Sequence, residues 1–191
     1  MSTRDIGASI RQKLLNEAHQ QGRPFQELLQ YFAMERFLYR LSISPQRDRF
    51  VLKGALLMTA WRAPQARPTV DIDLAGRLSN DPGHIKTIIQ EICSIEVVPD
   101  GIHFDPATVK VARIKEDAEY EGVRARFRGT LSRARIEMQI DIGFGDVFVP
   151  KPTSLEYPAI LNFPAPVLLG YSRETVIAEK LQALTALGML E

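Results

Sequence analysis

The segment Arg67–Leu74 constrains the fold of this chain more than any other, because polar and apolar side chains alternate along it. A period of two predicts a β-strand with Asp71 and Asp73 on one face and apolar residues on the other. Two carboxylates held side by side repel each other unless a cation lies between them, and a hard divalent ion with oxygen ligands is the natural partner. Asp-x-Asp is a weak motif by itself, so its meaning depends on the rest of the chain.

A second alternation covers residues 133–142, where the even positions are apolar and the odd positions are polar or charged. The pattern predicts a strand with Asp141 on its polar face. If this strand pairs beside the Asp71–Asp73 strand at ~4.8 Å, the three carboxylates converge. Three convergent acids suit two Mg²⁺ ions that bind a triphosphate and activate a hydroxyl. The alternation is equally consistent with a strand that has one solvent-exposed face and Asp141 at its solvated end.

The composition is that of an ordinary globular protein. With 45% hydrophobic and 25% charged residues, a chain of 191 residues is long enough for one domain with a real core. The net charge of +1 means that any nucleic-acid contact must come from a local patch. The three histidines are widely spaced and match neither a zinc site nor a catalytic triad.

The sequence also predicts where the protein resides. No apolar run approaches the ~20 residues that span a bilayer, and the first residues lack the layout of a signal peptide. The single cysteine, Cys93, excludes an internal disulfide and fits a reducing compartment. Cys93 lies among isoleucines, so we expect a buried thiol rather than a nucleophile. We therefore expect a cytoplasmic protein with no membrane partner.

The order of elements favours an α/β or α+β fold with a mixed sheet. Residues 1–45 read as a helical N-terminal segment and residues 46–191 as the main domain. Within the main domain we predict strands at 50–52, 71–73, 109–114, 123–127 and 135–142, and helices at 55–61, 82–93 and 173–187. We expect Gly129 to form the turn of a hairpin. The prolines between 150 and 166 predict a connection with little room for helix, and Ser172 is a candidate cap for the last helix.

Gly54 follows a predicted strand and precedes a predicted helix. Such a turn leaves backbone N–H groups free at a helix N-terminus, and glycine lets a phosphate approach closely. A lone Lys-Gly pair is equally well explained by a simple turn between a strand and a helix. Lys53 fits either a phosphate contact or a solvated charge at the end of the strand.

Lys180 has an unusual position on the last predicted helix. At ~100° per residue it falls inside the apolar arc that contains Ile177, Leu181 and Leu184. A lysine in such an arc either extends its ammonium group out to water or meets an anion. A triphosphate would be such an anion.

Arginines alternate with apolar residues in the strand that contains Arg124, Arg126 and Arg128. With Arg133 and Arg135 across the turn, they would form a basic ribbon suited to phosphate backbones. The other interpretation is a solvated sheet face with glutamates nearby. The sequence leaves both open.

Four blocks of this sequence, in this order, resemble the AbiEii/AbiGii-type (MenT-like) nucleotidyltransferase toxins. The blocks are Lys53–Leu57, Arg67–Leu74, Ile140–Gly143 and Tyr171–Leu181. The resemblance implies the polymerase β-like nucleotidyltransferase fold and Mg²⁺-dependent transfer of a nucleotide from an NTP. It further implies tRNA or another RNA 3′ end as acceptor, a cognate antitoxin as partner, and a role in a toxin–antitoxin or phage-defence system.

The resemblance also implies roles for single residues. It makes Asp71, Asp73 and Asp141 the ligands of the metal ions and Lys180 the catalytic lysine, in contact with the NTP phosphates. The nucleotide-binding residues that it implies are Lys53, Gly54, Ala55, Arg67 and Thr69, with Gly54 in the phosphate-binding turn.

Two features depart from the family pattern. The second glycine of the turn is Ala55 here, which loses access to positive φ and adds a methyl group near the phosphates. The chain ends at Glu191, whereas the family normally continues to a further Lys-Asp-type motif and a helical C-terminal region, which we expect this chain to lack. The alternative hypothesis is therefore a truncated, non-catalytic protein of this fold that binds nucleotide, RNA or a partner protein. A metal-dependent glycosyltransferase that uses Asp71 and Asp73 is a third.

Overall fold

The computed structural model describes residues 6–62, 68–117 and 120–188, which form five α-helices and seven strands. The helices are α1 (Ile6–Gln21), α2 (Phe25–Ile43), α3 (Gly54–Ala60), α4 (Pro82–Cys93) and α5 (Arg173–Gly188). The strands are β1 (Phe50–Lys53), β2 (Asp71–Gly76), β3 (Ile102–Asp117), β4 (Tyr120–Leu131), β5 (Ala134–Phe144), β6 (Thr153–Glu156) and β7 (Val167–Gly170).

All seven strands belong to one mixed sheet, in the order β3-β4-β5-β2-β1-β7-β6. β2 pairs in parallel with β5 and β1 pairs in parallel with β7, whereas the other neighbours are antiparallel. The β2–β5 pairing joins two strands that are far apart in the sequence, and it builds the centre of the sheet. The predicted fold class, a mixed sheet flanked by helices, is confirmed.

Helices cover one face of the sheet and form the hydrophobic core with it. The ring of Phe37 on α2 packs against Phe104 of β3 and Phe127 of β4, with centroid distances of 5.9 and 5.3 Å. Leu14 of α1 and Ile89 of α4 are buried in the same cluster. The N-terminal helices therefore share one core with the sheet.

Helix α2 also carries buried charges, and each has a partner. Arg40 donates from its two Nη atoms to the two carboxylate oxygens of Asp100, at 2.7 and 3.1 Å. Glu35 pairs with Arg36 and accepts the backbone N–H of Ile160 at 2.7 Å. Burial raises the pKa of the Glu35 carboxyl, against the opposing effect of Arg36. These contacts hold α2 against the segment before β3 and the connection before β7.

The helix boundaries agree with the signals in the sequence. The break between α1 and α2 falls at residues 22–24, where the sequence has Gly22 and Pro24. The Asp81 carboxylate accepts the backbone N–H of His84 at 2.7 Å at the start of α4, and Ser172 Oγ accepts the N–H of Thr175 at 3.1 Å at the start of α5. In the parts of the chain described above, none of the helices has the length and apolar character that crossing a membrane requires.

The predicted turn at Gly129 is wrong. The β4–β5 hairpin turns at Ser132–Arg133, because Leu131 and Ala134 are the last paired residues. Ser132 adopts a φ of +52° in this turn. Gly129 lies inside β4, where a Cβ would come within 3.1 Å of the Phe104 ring. The glycine therefore makes room for an aromatic side chain instead of reversing the chain.

The prediction that the prolines between residues 150 and 166 leave little room for helix is confirmed, because no helix lies among the described residues between β5 and α5. The sequence did not predict the strands found there. β6 lies inside this stretch, and β7 begins directly after its last proline, Pro166. β7 pairs with β1 on one side and with β6 on the other. These strands are short and have no strong alternation, so only their pairing with distant residues reveals them.

Candidate active site

Three carboxylates converge at the centre of the sheet. In the strand register Asp73 of β2 stands directly beside Asp141 of β5, and Asp71 stands beside Gln139. One oxygen from each of Asp71, Asp73 and Asp141 lies within 4.8 Å of the other two. The convergence that would follow from pairing these two strands is thus present.

The packing of the two strands holds the carboxylates on one face. Ile72 and Leu74 of β2 and Ile140 of β5 are buried on the helix-covered face. The alternation of a strand then directs Asp71 and Asp73 to the opposite face. A shift of the register by one residue would bury the carboxylates and expose the isoleucines, so the core specifies the site.

Thr69 holds the first carboxylate in place. Its hydroxyl donates a hydrogen bond to Asp71 Oδ1 at 2.6 Å, and its backbone N–H donates to the Tyr31 hydroxyl of α2 at 3.1 Å. Thr69 is therefore placed to position Asp71, and the nucleotide contact that the family resemblance implies stays a prediction. Arg67, another predicted nucleotide-binding residue, lies outside the described residues.

Arg124 of β4 is the partner of the third carboxylate. Its Nε and Nη2 donate to the two oxygens of Asp141, both at 2.7 Å, and Gln139 Nε2 lies 3.4 Å from Asp141 Oδ2. A bidentate guanidinium–carboxylate contact is both strong and directional. Asp141 is almost fully buried. It is therefore not the solvated end of a strand.

The backbone of Gly54 lies close against the Asp73 carboxylate. Its φ is +68°, and a Cβ built on it would lie 2.0 Å from Asp73 Oδ2. Both the conformation and the space therefore require glycine here. Ala55 follows as the second residue of α3 and has no positive φ, so the family's second glycine is not needed for this backbone.

Lys53 lies next to the carboxylates in the sheet, opposite Asp73, and it is not a solvated charge. Its Nζ is 3.1 Å from Glu179 Oε1 of α5 and 3.5 Å from Asp146 Oδ2. Burial lowers the pKa of Lys53, but the two carboxylates outweigh burial and hold this pKa above its ordinary value. Tyr171 donates its hydroxyl to Asp146 Oδ2 at 2.5 Å and so fixes that carboxylate.

Lys180 does not lie in a packed apolar arc. Ile177 and Leu181, which share the predicted arc, are 59% and 57% exposed, and the side chain of Leu184 lies outside the described residues. Lys180 is exposed, and it forms neither a hydrogen bond nor an ion pair with any residue in the described ranges. The helix packs on the rest of the protein through Thr175, which is buried, and Val176, which packs on the core.

The donor set of the site fits a divalent cation. Asp71, Asp73 and Asp141 offer only oxygen ligands, and hard cations such as Mg²⁺ take oxygen ligands. The absence of a Cβ at Gly54 makes room for the Asp73 carboxylate in this set. The three residues named from the sequence as metal ligands are therefore brought together by the structure, while their role in binding stays a prediction.

Sequence reasoning missed three residues of this site. Arg124 was noticed only as part of a basic row, and its contact with Asp141 follows from the β4–β5 register. Asp146 and Glu179 carried no local signal. The one available sign was the sharp period of two in both strands, which places Arg124 and Asp141 on polar faces that can meet.

Two crystal structures of Helicobacter pylori proteins resemble this fold. JHP933 gives a TM-score of 0.49 at 16% identity, covering 82% of this chain and 56% of its own. A protein provisionally described as a nucleotidyltransferase gives a TM-score of 0.50 at 16% identity, covering 82% of this chain and 58% of its own. This chain thus spans a little over half the length of each, and the second likeness concerns the fold alone. A comparison with curated proteins found no match.

The family comparison is more extensive. A family described as the nucleotidyl transferase AbiEii toxin of type IV toxin–antitoxin systems matches residues 36–189. The matched range begins within α2, ends after α5, and contains all three carboxylates, the Gly54 turn and Lys53. It confirms the resemblance carried by the four sequence blocks. The chain belongs to the AbiEii nucleotidyl transferase toxin family.

Proposed function

We propose that this protein transfers a nucleotide from an NTP to an RNA 3′ end in a reaction that requires Mg²⁺. The observation that carries the proposal is the convergence of Asp71, Asp73 and Asp141, with Asp73 packed against the Gly54 turn. Family membership supplies the reaction class, and the oxygen-only donor set supports the metal.

The chemistry assigned to the site is an in-line displacement. The acceptor hydroxyl attacks the α-phosphorus, a new P–O bond forms, the bond to the β-phosphate breaks, pyrophosphate leaves, and the hydroxyl proton passes to water. Bound divalent ions would neutralise the triphosphate and favour ionisation of the hydroxyl. Asp71, Asp73 and Asp141 would hold them, and the fixed strands would supply the positioning that dominates phosphoryl chemistry.

Lys53 and Lys180 are the cations proposed to contact the phosphates. Lys53 is the better placed of the two, because it stands opposite Asp73 in the sheet. Its present partners, Asp146 and Glu179, would have to share it with the triphosphate. Lys180 lies one residue after Glu179 and would need to turn toward the site.

The biological setting that we propose is a toxin–antitoxin or abortive-infection pair in the cytoplasm. Modification of tRNA would stop translation, and a cognate antitoxin would restrain the activity. Membership of a toxin family supports the existence of such a partner.

The test is incorporation of each labelled NTP into total tRNA with Mg²⁺. The parent chain is compared with Asp73→Asn, which keeps the shape of the side chain and removes its charge. Asp48→Asn is the matched control, because Asp48 is 73% exposed and lies outside the site. Incorporation by the parent and by the Asp48 variant, but not by the Asp73 variant, is the expected result. Equal incorporation by all three would overturn the assignment of the carboxylates.

A second candidate function is binding without transfer, and the Arg124 contact favours it. Arg124 engages both oxygens of Asp141, so the third carboxylate is already neutralised. Such a protein would bind nucleotide, RNA or a partner protein through the same fold. Calorimetric binding of Mg²⁺-NTP together with no transfer to any acceptor, even at high protein concentration, would support it.

A further inference from the structure

A row of side chains leads from the carboxylates across the sheet to its edge. Lys110 of β3 stands opposite Arg126 of β4, Arg126 opposite Gln139 of β5, and Gln139 beside Asp71 of β2. Directly paired residues share a face of a sheet, so all four side chains lie on the face that carries the site. At ~4.8 Å between strands, the backbone at Arg126 is about 10 Å from Asp71 and that at Lys110 about 14 Å.

Lys110 and Arg126 are like charges placed directly opposite each other. Both side chains are exposed, and Arg126 Nε donates to the neutral Gln139 Oε1 at 3.0 Å. Among the described residues, neither cation forms an ion pair with a carboxylate. Like charges in opposed positions destabilise a sheet. A bound anion would remove this repulsion.

Arg128 adds a third positive charge, two residues after Arg126 on β4. Its Nε lies 3.3 Å from Glu137 Oε1, but the two side chains are 65% and 75% exposed, so water screens this pair. Arg126 and Arg128 point to the same face with a repeat of about 7 Å along the strand. We call Lys110, Arg126 and Arg128 the basic face.

We propose that the basic face binds the phosphate backbone of the acceptor RNA next to its 3′ end, an inference that rests on the proposed function. A linear array of cations that begins beside three carboxylates fits a linear polyanion whose end lies at those carboxylates. Binding of this kind releases counterions from the RNA, and because that release is less favourable at high salt, the affinity should fall as the salt concentration rises. Because the net charge of the whole protein is only +1, the attraction for RNA must come from this local surface.

The test measures binding without catalysis. A 5′-fluorescein-labelled single-stranded oligoribonucleotide with a free 3′ hydroxyl is titrated by anisotropy with Mg²⁺ but no NTP, for the parent chain and for Lys110→Gln/Arg126→Gln. We expect the variant to bind at least about tenfold more weakly at low salt. The slope of log K against log [salt] should become shallower by about 1.4, since each single-strand phosphate contact contributes about 0.7.

Lys13→Gln/Lys86→Gln is the matched control, because both lysines are exposed on the helices of the opposite face. It should bind RNA like the parent chain. The Lys110/Arg126 variant should unfold at an equal or slightly higher denaturant concentration than the parent, because it loses a like-charge pair. Its weaker binding would then not be a folding defect.

Three outcomes separate this inference from the proposed function. If the Lys110/Arg126 variant binds RNA like the parent with the same salt slope, the inference is overturned, even when the parent transfers nucleotide. If the parent binds RNA through this face and transfers nothing, the inference stands and the proposed function is overturned. A parent that binds no RNA but labels an acidic protein from NTP would overturn the inference in favour of a protein acceptor.

Discussion

Arg124 donates hydrogen bonds to both carboxylate oxygens of Asp141, with Nε–Oδ1 and Nη2–Oδ2 distances of 2.7 Å each. This contact neutralises one of the three carboxylates from a neighbouring strand. It offsets part of the mutual repulsion of three acids that lie within 4.8 Å of one another. A divalent ion that binds here must share Asp141 with the guanidinium.

Removing the guanidinium should therefore strengthen metal binding. We expect Arg124→Gln to bind Mn²⁺ on the order of tenfold more tightly, because the ion no longer competes with and is no longer repelled by a neighbouring cation. Electron paramagnetic resonance of free Mn²⁺ measures the affinity. Arg128→Gln makes the same change of charge on the same strand without touching Asp141, and its affinity should stay near that of the parent. Weaker binding by Arg124→Gln would mean that Arg124 mainly orients Asp141 for the ion.

Gly54→Ala should damage the site beyond the cost of its backbone conformation. Gly22 is the matched control, because its φ of +65° is nearly the same as the +68° of Gly54 and a Cβ on it meets nothing within 4 Å. Gly22→Ala should lower the free energy of unfolding by about 1–2 kcal/mol, the cost of a left-handed conformation. Gly54→Ala should lower it further and weaken Mn²⁺ binding, since its Cβ displaces Asp73. Urea unfolding and metal titration of both variants give the comparison. Equal losses in the two would show that Asp73 moves aside freely.

Glu179→Gln should lower the pKa of Lys53. Burial already favours the neutral amine, and the Glu179 carboxylate is the larger of the two effects that oppose it. The pKa is read from NMR titration of ¹³C-methylated lysines. Glu174→Gln on the same helix is the control, because Glu174 is fully exposed and its carboxyl interacts with Ser172 and Arg173. An unchanged Lys53 pKa in Glu179→Gln would mean that the Asp146 carboxylate alone is enough to keep the pKa of Lys53 raised.

The thiol of Cys93 should be inert in the folded protein. Burial raises its pKa to about 12, so almost no thiolate forms at pH 8. A folded sample should react with a disulfide reagent only as fast as the structure opens. In denaturant the ordinary pKa of about 8.5 returns and labelling should be immediate. Fast stoichiometric labelling of the folded chain would contradict the burial of α4.

Asp100→Ala should be among the most destabilising single changes in the chain. Both members of the Arg40–Asp100 pair are buried, with 5% and 2% exposure, so the variant leaves an unpaired charge inside. A loss of about 3–5 kcal/mol is expected from urea unfolding. Glu137→Ala breaks the exposed pair with Arg128 and should cost about 0–1 kcal/mol. A similar small loss for Asp100→Ala would mean that water reaches Arg40.

The sequence determined which side chains of a strand share a face. The period of two placed Asp71 and Asp73 together, and the same period placed Asp141 and Arg124 on polar faces. The candidate cap Ser172 marked the start of α5, and Gly54 marked the turn into α3. All of these signals are local, because backbone geometry repeats over a few residues.

Only the tertiary structure decided which faces meet. The parallel pairing of β2 with β5 set Asp73 beside Asp141, and the β4–β5 register set Arg124 on the same carboxylate. The partners of Lys53 come from the β5–β6 connection and from α5. The last helix shows most clearly where prediction from periodicity fails, because its predicted apolar arc is exposed at Ile177 and Leu181. Periodicity gives the direction of a side chain from its own neighbours along the chain. Pairing and burial depend on residues far away in the sequence, which no local pattern contains.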